Sequence, residues 1–174
     1  MPITSIAFAE LPAAMQTTLG QLAHAEFGHV PIVQQYQWAT PDWSMLLHDD
    51  QGQLLAFYNL VLRTATFDGH PVRLAGLNNV ITPPAFRGRG FAKQLLLATE
   101  PQWWEPLGAQ HGLLVCADHM LPYYRKLGWY SVEAALYFSQ PDGQRHRFES
   151  NVMLRSPSAL QVNPAEIDLG GLPW

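Results

Sequence analysis

Basic residues are missing from the first third of this sequence: residues 1–62 contain no Lys or Arg but five acids. Nucleic-acid binding requires a continuous basic face, so this third argues against it. The single cysteine, Cys116, excludes an internal disulfide and is typical of a reducing compartment. No apolar run approaches the roughly 18 residues that span a bilayer, and the first residues lack a signal-peptide pattern. We expect a cytoplasmic protein whose partners include neither a membrane nor a nucleic acid.

The length and apolar content are those of one globular domain. The chain has 174 residues, 48% hydrophobic and 14% charged, with a formal net charge of -4. We therefore predict a single domain over residues 1–174. Apolar periodicity predicts a mixed α+β class, and Pro101 is expected to kink or divide its helix. The predicted segments are Ile3–Phe8, Pro12–Phe27 (helix), Trp43–His48, Leu54–Phe67, Val72–Thr82, Phe91–Leu107 (helix), Gly112–Cys116, Leu121–Leu127 (helix), and a hairpin of Trp129–Ser139 with Phe148–Arg155.

Glycine and positive charge concentrate in residues 83–96, PPAFRGRGFAKQLL, between a predicted strand and a predicted helix. The first N–H groups of a helix have no intrahelical acceptor, and glycines allow an anion to approach them closely. Arg87, Arg89 and Lys93 add charge that can neutralise a diphosphate. The alternative is a solvated basic loop. The segment lacks the Gly-Lys-Ser/Thr ending of nucleoside-triphosphate loops and the glycine spacing of dinucleotide-binding turns.

Two motifs resemble one protein family. RGRGFA at Arg87–Ala92 is similar to the Arg/Gln-x-x-Gly-x-Gly/Ala signature of the GNAT superfamily of acyl-CoA N-acyltransferases, and YYRKLGW at Tyr123–Trp129 resembles its Tyr-x-x-x-Gly-Phe/Trp segment. The order of predicted elements is similar over nearly the whole chain. The resemblance implies a central, mostly antiparallel twisted sheet of about seven strands, splayed between the fourth and fifth and flanked by helices. It also implies acetyl-CoA as co-substrate and the homodimers that family members often form.

The resemblance implies a cofactor site at this loop. In the family, backbone N–H groups of the signature hold the CoA pyrophosphate, and the backbone of the preceding strand pairs with pantetheine. A small residue at Ala92 leaves room for the phosphates. The cofactor-binding residues carried over by position are Val80, Ile81, Thr82, Arg87, Gly88, Arg89, Gly90, Phe91, Ala92 and Lys93.

Direct acyl transfer to an amine requires a neutral amine, a stabilised oxyanion and a proton for the leaving thiolate. By the resemblance, a backbone N–H around Val80–Thr82 would stabilise the oxyanion. Tyr124, four residues before Gly128, would be the general acid. The alternative for Tyr124 is aromatic packing. Cys116 lies in an apolar predicted strand, which favours a buried inert thiol over a nucleophile.

The general base stays open. The element order and the ending GGLPW are similar to those of aminoglycoside 2'-N-acetyltransferases, in which a glutamate stands nine residues before the signature arginine. That position here is Asn78, whose amide can orient a water molecule but cannot take its proton. His119 is a second catalytic candidate, because imidazole accepts protons near neutral pH. Further candidates are Asp118, Asp168 and the terminal carboxylate of Trp174.

The C-terminal segment is expected to dock on the protein, because its last residue, Trp174, is large and apolar. Docked beside the acceptor, Asp168 and Trp174 would contact a cationic amine, which the acidic first third would attract. The predicted acceptor is a primary amine of a small cationic molecule, such as an aminoglycoside, a polyamine or an amino acid. A peptide or protein N-terminus is the alternative acceptor, and a non-catalytic acyl-CoA sensor is the alternative to an enzyme, argued from Asn78. The seven histidines show no metal-ligand spacing, so no metal is predicted.

Overall fold

The computed structural model of this chain describes residues 1–159 and 161–174. It contains ten strands and four α-helices in these ranges, and this mixed composition confirms the predicted α+β class. The strands pair mostly antiparallel, with parallel pairs between the fourth and fifth and between the seventh and tenth. The elements are β1 (Ile3–Ala7), α1 (Ala13–Phe27), α2 (Pro31–Gln35), β2 (Trp43–His48), β3 (Leu54–Phe67), β4 (His70–Ile81), α3 (Phe91–Trp104), β5 (His111–Cys116), α4 (Leu121–Arg125), β6 (Tyr130–Val132), β7 (Ala135–Ser139), β8 (Arg145–Arg147), β9 (Asn151–Arg155) and β10 (Glu166–Asp168).

The chain forms two compact units. The first comprises Met1–Val61 and Leu77–Pro101, and the second comprises Leu62–Gly76 and Gln102–Trp174. The two longest strands, β3 and β4, contribute residues to both units. The single domain over residues 1–174 stays a prediction.

The core of the first unit lies where α1 packs on strands. β2 pairs antiparallel with both β1 and β3. Apolar residues of α1 recur at helical spacing, so they share one face of the helix, and Leu19 on that face is only 2% exposed. The buried cluster consists of Leu11, Leu19, Leu46, Phe57 and Ile81, with Met15, Leu22, Ala23 and Phe27 of α1 against it. Burial of this face, rather than helix propensity, holds α1 in place.

Helix α3 also belongs largely to the first unit and starts at the end of the glycine-rich segment. Its Thr99 is fully buried, donates to the carbonyl oxygen of Leu95 over 2.7 Å and bonds to the Tyr58 hydroxyl. Helix α3 continues through Pro101 without being divided and ends at Trp104. The predicted extension to Leu107 is therefore wrong. Proline lacks the N–H that would bond four residues back, so the end of this helix is weakened.

The second unit is a sheet with the strand order β6, β9, β5, β4, β3, β10, β7, β8. The parallel pairing of β4 with β5 covers Leu74–Gly76 against His111–Leu113 and ends there, although both strands continue. On its other edge, β5 pairs antiparallel with the whole of β9, from Gly112 to Cys116. Their inward residues are apolar and buried, which explains the uninterrupted hydrophobic sequence of β5.

The predicted hairpin around the PDGQ turn is present in the structure, but its strands are interrupted. Residues 129–139 form two strands, of which β6 pairs with β9 and β7 pairs with β8. Both pairs keep one register around the PDGQ turn, so the predicted hairpin of Trp129–Ser139 with Phe148–Arg155 is confirmed, except that its first arm is two strands and its second arm begins at Arg145. Strand β10, which lies between β3 and β7, supplies the other partner of β7. The local pattern around the PDGQ turn therefore predicts this hairpin, whereas the pairing of β7 with β10 joins segments distant in sequence.

The C-terminal segment docks, as predicted. Its strand β10 pairs antiparallel with β3 and parallel with β7, and the side chain of Asp68 accepts hydrogen bonds from the backbone N–H groups of Ala165 and Glu166. Trp174 is only 4% exposed. The last ten residues are thus an integral part of the second unit.

Candidate functional site

The loop between β4 and α3 is shaped by prolines and glycines. A short 3₁₀ helix at Pro84–Phe86 follows the strand. Gly88 and Gly90 then adopt φ values of 75° and 79°, the left-handed region that side chains disfavour. A Cβ added to either glycine would meet no atom within 4 Å. Backbone conformation, rather than lack of space, therefore explains both glycines.

This loop presents a row of free backbone donors. Within residues 1–159 and 161–174, none of the N–H groups from Gly88 to Lys93 has an acceptor, whereas that of Arg87 donates to the carbonyl oxygen of Pro84 over 3.4 Å. The first hydrogen bond of α3 begins one residue later, from Gln94 to Gly90 over 2.9 Å. Free donors at the start of a helix, reinforced by the helix dipole, form an anion site.

Three cationic side chains, those of Arg87, Arg89 and Lys93, belong to the same segment, but they differ in their partners. Arg87 donates from Nε to the carbonyl oxygen of Thr82 over 3.2 Å and from Nη2 to a carboxylate oxygen of Glu26. The guanidinium of Arg89 lies over the Phe91 ring, 5.0 Å from its centroid. In the described part of the chain, Arg89 and Lys93 have no carboxylate partner. Their charge is therefore available to an anion.

The end of β4 is irregular at the residues predicted to serve the cofactor and the amine. Asn79 has a φ of 53°, which is uncommon for a residue with a side chain, although β4 continues to Ile81. Its neighbours Asn78 and Val80 are partly buried. Ile81 is 3% exposed and packs in the core beneath α1, so only its backbone is available. The backbone of Val80–Thr82 remains the part that could bind a ligand.

Tyr124 lies in α4, in an aromatic cluster of the second unit. Its ring meets those of Tyr123 and Trp129 edge-on, with centroids 5.1 Å and 6.1 Å apart. Burial raises the pKa of Tyr124 far above its ordinary value, and Tyr123 and Cys116 raise it further. The hydroxyl makes no hydrogen bond to any described residue. Tyr124 is thus a neutral phenol whose proton is not committed to a protein acceptor.

The other residues near β5 divide into exposed and packed groups. His119 and Asp118 are exposed in a 3₁₀ helix, Asp118–Met120, and Asp118 accepts a hydrogen bond from Nδ2 of Asn151 over 2.7 Å. Burial, and then the charge of Asp118, raise the pKa of Cys116. Its sulfur lies 3.8 Å from that of Met153. A protonated, half-buried thiol is unsuited to nucleophilic attack, as the sequence predicts.

The predicted acceptor-binding residues Asp168 and Trp174 are both engaged within the second unit. Asp168 accepts from Nε of Arg145 over 2.7 Å and from the N–H of Gly170 over 2.8 Å. The hydrogen bond to Asp168 is the largest cause that raises the pKa of Arg145. Arg145 also donates to Glu166 over 2.8 Å, so both acids share one cation. Their charge is therefore partly neutralised.

The Trp174 indole packs on the backbone of Gly76. A Cβ added there would lie 2.0 Å from the ring, and the indole N–H makes a long hydrogen bond of 3.5 Å to the carbonyl oxygen of Leu113. Gly76 and Leu113 form the last register pair of β4 with β5. Arg63 lies over the indole, 5.4 Å from its centroid, and donates to the carbonyl oxygen of Leu172 over 2.6 Å.

Sequence reasoning misses Glu26, Gly76 and Arg63. Glu26 lies 61 residues from Arg87, and neither has a motif that names the other. Gly76 reads as an ordinary glycine in a strand, although a glycine inside a strand can indicate close approach of another group. That signal was available in the sequence, although it does not identify Trp174 as the group that approaches.

The described residues offer neither a grouped set of metal ligands nor a membrane-spanning helix. Within residues 1–159 and 161–174, no three His, Cys, Asp or Glu side chains group as metal ligands would. No helix in the same ranges is both long enough and apolar enough to cross a bilayer.

Known structures share this fold. An acyl-CoA N-acyltransferase from Pseudomonas aeruginosa is 20% identical, with a TM-score of 0.57 over 90% of this chain and 100% of that one. A GNAT family N-acetyltransferase from Escherichia coli, solved in complex with CoA, is 17% identical, with a TM-score of 0.60 over 98% and 94% of the two chains. A GNAT family acetyltransferase from Brucella melitensis, solved with acetyl-CoA, is 15% identical, with a TM-score of 0.58 over 94% and 93%.

Comparison of sequences identifies a family, which a shared fold at such low identity does not. None of the curated proteins matches the chain. Residues 15–132, more than half of the chain, match the model of a family described as "Acetyltransferase (GNAT) domain". The match includes the loop with its free N–H groups, as well as Tyr124. The chain therefore belongs to the GNAT acetyltransferase family.

Proposed function

We propose that this protein transfers an acetyl group from acetyl-CoA to the primary amine of a small cationic acceptor. The observation that carries the proposal is the row of free N–H groups from Gly88 to Lys93, in a chain of the acetyltransferase family. The solved relatives from Escherichia coli and Brucella melitensis hold CoA and acetyl-CoA respectively, which supports the same co-substrate here.

The residues of the first unit fit a CoA diphosphate. The N–H groups from Gly88 to Ala92 would bind its oxygens, and Arg89 and Lys93 would balance its charge. The backbone of Val80–Thr82 would pair with the amides of pantetheine and supply a donor to the carbonyl oxygen. Acetyl-CoA would supply the activated thioester.

Tyr124 would donate the proton that the departing sulfur requires. A phenol whose pKa is raised by burial stays protonated at neutral pH, so the donor form is fully populated. The raised pKa also makes it a weaker acid. A thiolate leaving into apolar surroundings becomes more basic for the same reason, which restores the driving force for transfer.

At the position of the glutamate that assists deprotonation in aminoglycoside 2'-N-acetyltransferases, this chain has Asn78, which cannot act as a base. Asn78 would orient a water molecule beside the amine, and the proton would leave to His119 or Asp118. Asp168 is the weakest of the candidates, because Arg145 holds its carboxylate. An aminoglycoside acceptor is argued from sequence features alone, chiefly the GGLPW ending. A polyamine, an amino acid and a peptide N-terminus are the competing acceptors, and a homodimer stays a prediction.

A thiol-release assay tests the proposal. Purified protein with acetyl-CoA is offered kanamycin-like aminoglycosides, spermidine and short peptides, and free CoA thiol is measured. We expect release with at least one amine, and Tyr124→Phe should lower kcat by roughly 10²-fold or more while leaving CoA affinity unchanged. Tight CoA binding without turnover on any amine would support the acyl-CoA sensor that Asn78 suggests.

A further inference from the structure

We propose that Glu26 and Arg87 are positioning residues that hold the glycine-rich loop in the conformation that receives the CoA diphosphate. The inference rests on the proposed function and adds to it the side chains that shape its anion site. In this account Arg87 is not itself a phosphate ligand.

The Arg87 side chain bonds to two separate segments of the chain. Its guanidinium uses two different nitrogens, Nε toward the carbonyl oxygen of Thr82 and Nη2 toward Glu26. Thr82 is the first residue after β4, and Glu26 lies in the last turn of α1. One side chain therefore joins the start of the loop, its glycine-rich end and a neighbouring helix. A planar guanidinium can bridge two acceptors in this way.

Apart from its bond to Arg87, Glu26 is unfavourable at this position in two respects. A carboxylate near an anion site repels the anion. A carboxylate in the last turn of a helix is also disfavoured by the helix dipole. Both groups are substantially exposed, at 51% for Arg87 and 38% for Glu26, so the pair contributes little to global stability. Fixing the loop is the benefit that remains.

The charge that would neutralise a diphosphate is supplied by Arg89 and Lys93. Arg89 lies over Phe91, and Lys93 projects from the first turn of α3. Because neither has a carboxylate partner among the described residues, these two carry the charge that a diphosphate meets. Arg87 thus fixes the shape of the loop, whereas Arg89 and Lys93 supply the positive charge.

Glu26→Gln separates this inference from simple electrostatics. Removing a negative charge should tighten CoA binding if charge alone matters, whereas loss of the charge-assisted bond that holds Arg87 should weaken CoA binding, by about fivefold in Kd. We also expect a similar rise in KM for acetyl-CoA with kcat retained. Turnover of S-acetylpantetheine, which lacks the diphosphate, should not change. Arg87→Lys should cause the same loss, because one ammonium cannot reproduce the fork.

Calorimetric titration with CoA measures the affinities, and Glu10→Gln is the matched control. Glu10 is an exposed acid of the same unit without a hydrogen-bond or ion-pair partner in the described residues, and its change removes the same charge. Equal or tighter binding by Glu26→Gln, with CoA binding intact in the wild type, overturns the inference alone. Absence of CoA binding in the wild type overturns the proposed function with it. If Glu26→Gln does not fold, wild-type affinity in Arg87→Lys overturns the inference.

Discussion

Gly88 and Gly90 show how single residues set the loop. Both have left-handed φ values, and neither has an atom near the position of a Cβ. A side chain at either position would therefore be disfavoured by the backbone conformation, at about 1–2 kcal/mol, and not by a clash. A change of φ that relieved this strain would redirect the N–H groups that follow.

Gly88→Ala should lower the free energy of unfolding by about 1 kcal/mol and weaken CoA binding, because the loop must either bear the strain or change shape. Chemical denaturation and a CoA titration measure the two effects. Gly20→Ala is the control, since Gly20 lies inside α1 with open space around it. There alanine should stabilise by about 0.5–1 kcal/mol, because it favours a helix. Equal effects of the two substitutions would contradict the account.

The buried phenol of Tyr124 makes stability depend on alkaline pH. Its pKa is raised in the folded state, first by desolvation and then by Tyr123 and Cys116. The folded protein therefore holds this proton more tightly than the unfolded chain does. The resulting stabilisation is complete below the ordinary tyrosine pKa of about 10 and falls as the pH rises above it.

Above pH 10, the free energy of unfolding of the wild type should therefore fall more steeply than that of Tyr124→Phe. The difference in slope approaches about 1.4 kcal/mol per pH unit, the value for one proton. Urea denaturation between pH 8 and about 11 measures both slopes. Parallel curves for the two proteins would show that Tyr124 ionises as easily in the folded state as in the unfolded chain.

At the scale of elements, the C-terminal segment is held by both a strand and a side chain. β10 pairs on both of its edges, and the indole of Trp174 covers Gly76 at the end of the β4–β5 pairing. Arg63 fixes this segment by contacting the ring and the carbonyl oxygen of Leu172. The segment therefore completes the sheet of the second unit.

Trp174→Ala should lower the free energy of unfolding by about 3–5 kcal/mol, the range for buried aromatic truncation. Gly76→Ala should also destabilise, because its Cβ would displace the indole. The double variant should lose less than the two single losses combined, because both act at one contact. Denaturation of the three variants tests this. Trp104→Ala, at a partly exposed tryptophan, should cost less, and additive losses at Trp174 and Gly76 would contradict the packing.

Local chemistry made much of this fold predictable. The strands β1 to β4 and helix α1 follow from apolar periodicity, and the glycine-rich loop follows from residue types that act within a few positions. Pairings between distant segments were not predictable in the same way. The insertion of β10 beside β7 and the bond of Glu26 to Arg87 depend on contacts that no local pattern encodes. The residues that would bind the amine substrate cannot be predicted from local sequence patterns for the same reason.

At the scale of the whole molecule, charge and family agree on an anionic co-substrate. Every Lys and Arg of the first unit lies between Arg87 and Lys93, whereas its acids are spread from Glu10 to Glu100. Such a distribution concentrates positive potential at the loop with free N–H groups. The chain is thus an acyl-CoA-dependent N-acyltransferase of the GNAT family. In its first unit, all basic residues lie in or directly after the glycine-rich loop.

The proposed function requires that the N–H groups from Gly88 to Lys93 bind the CoA diphosphate. Amide NMR of the ¹⁵N-labelled protein during a CoA titration tests it most directly. The account predicts that the amide signals of Gly88–Lys93 shift together and saturate at one Kd, with smaller shifts for S-acetylpantetheine. CoA binding that leaves these signals unmoved, while others shift, would contradict the account.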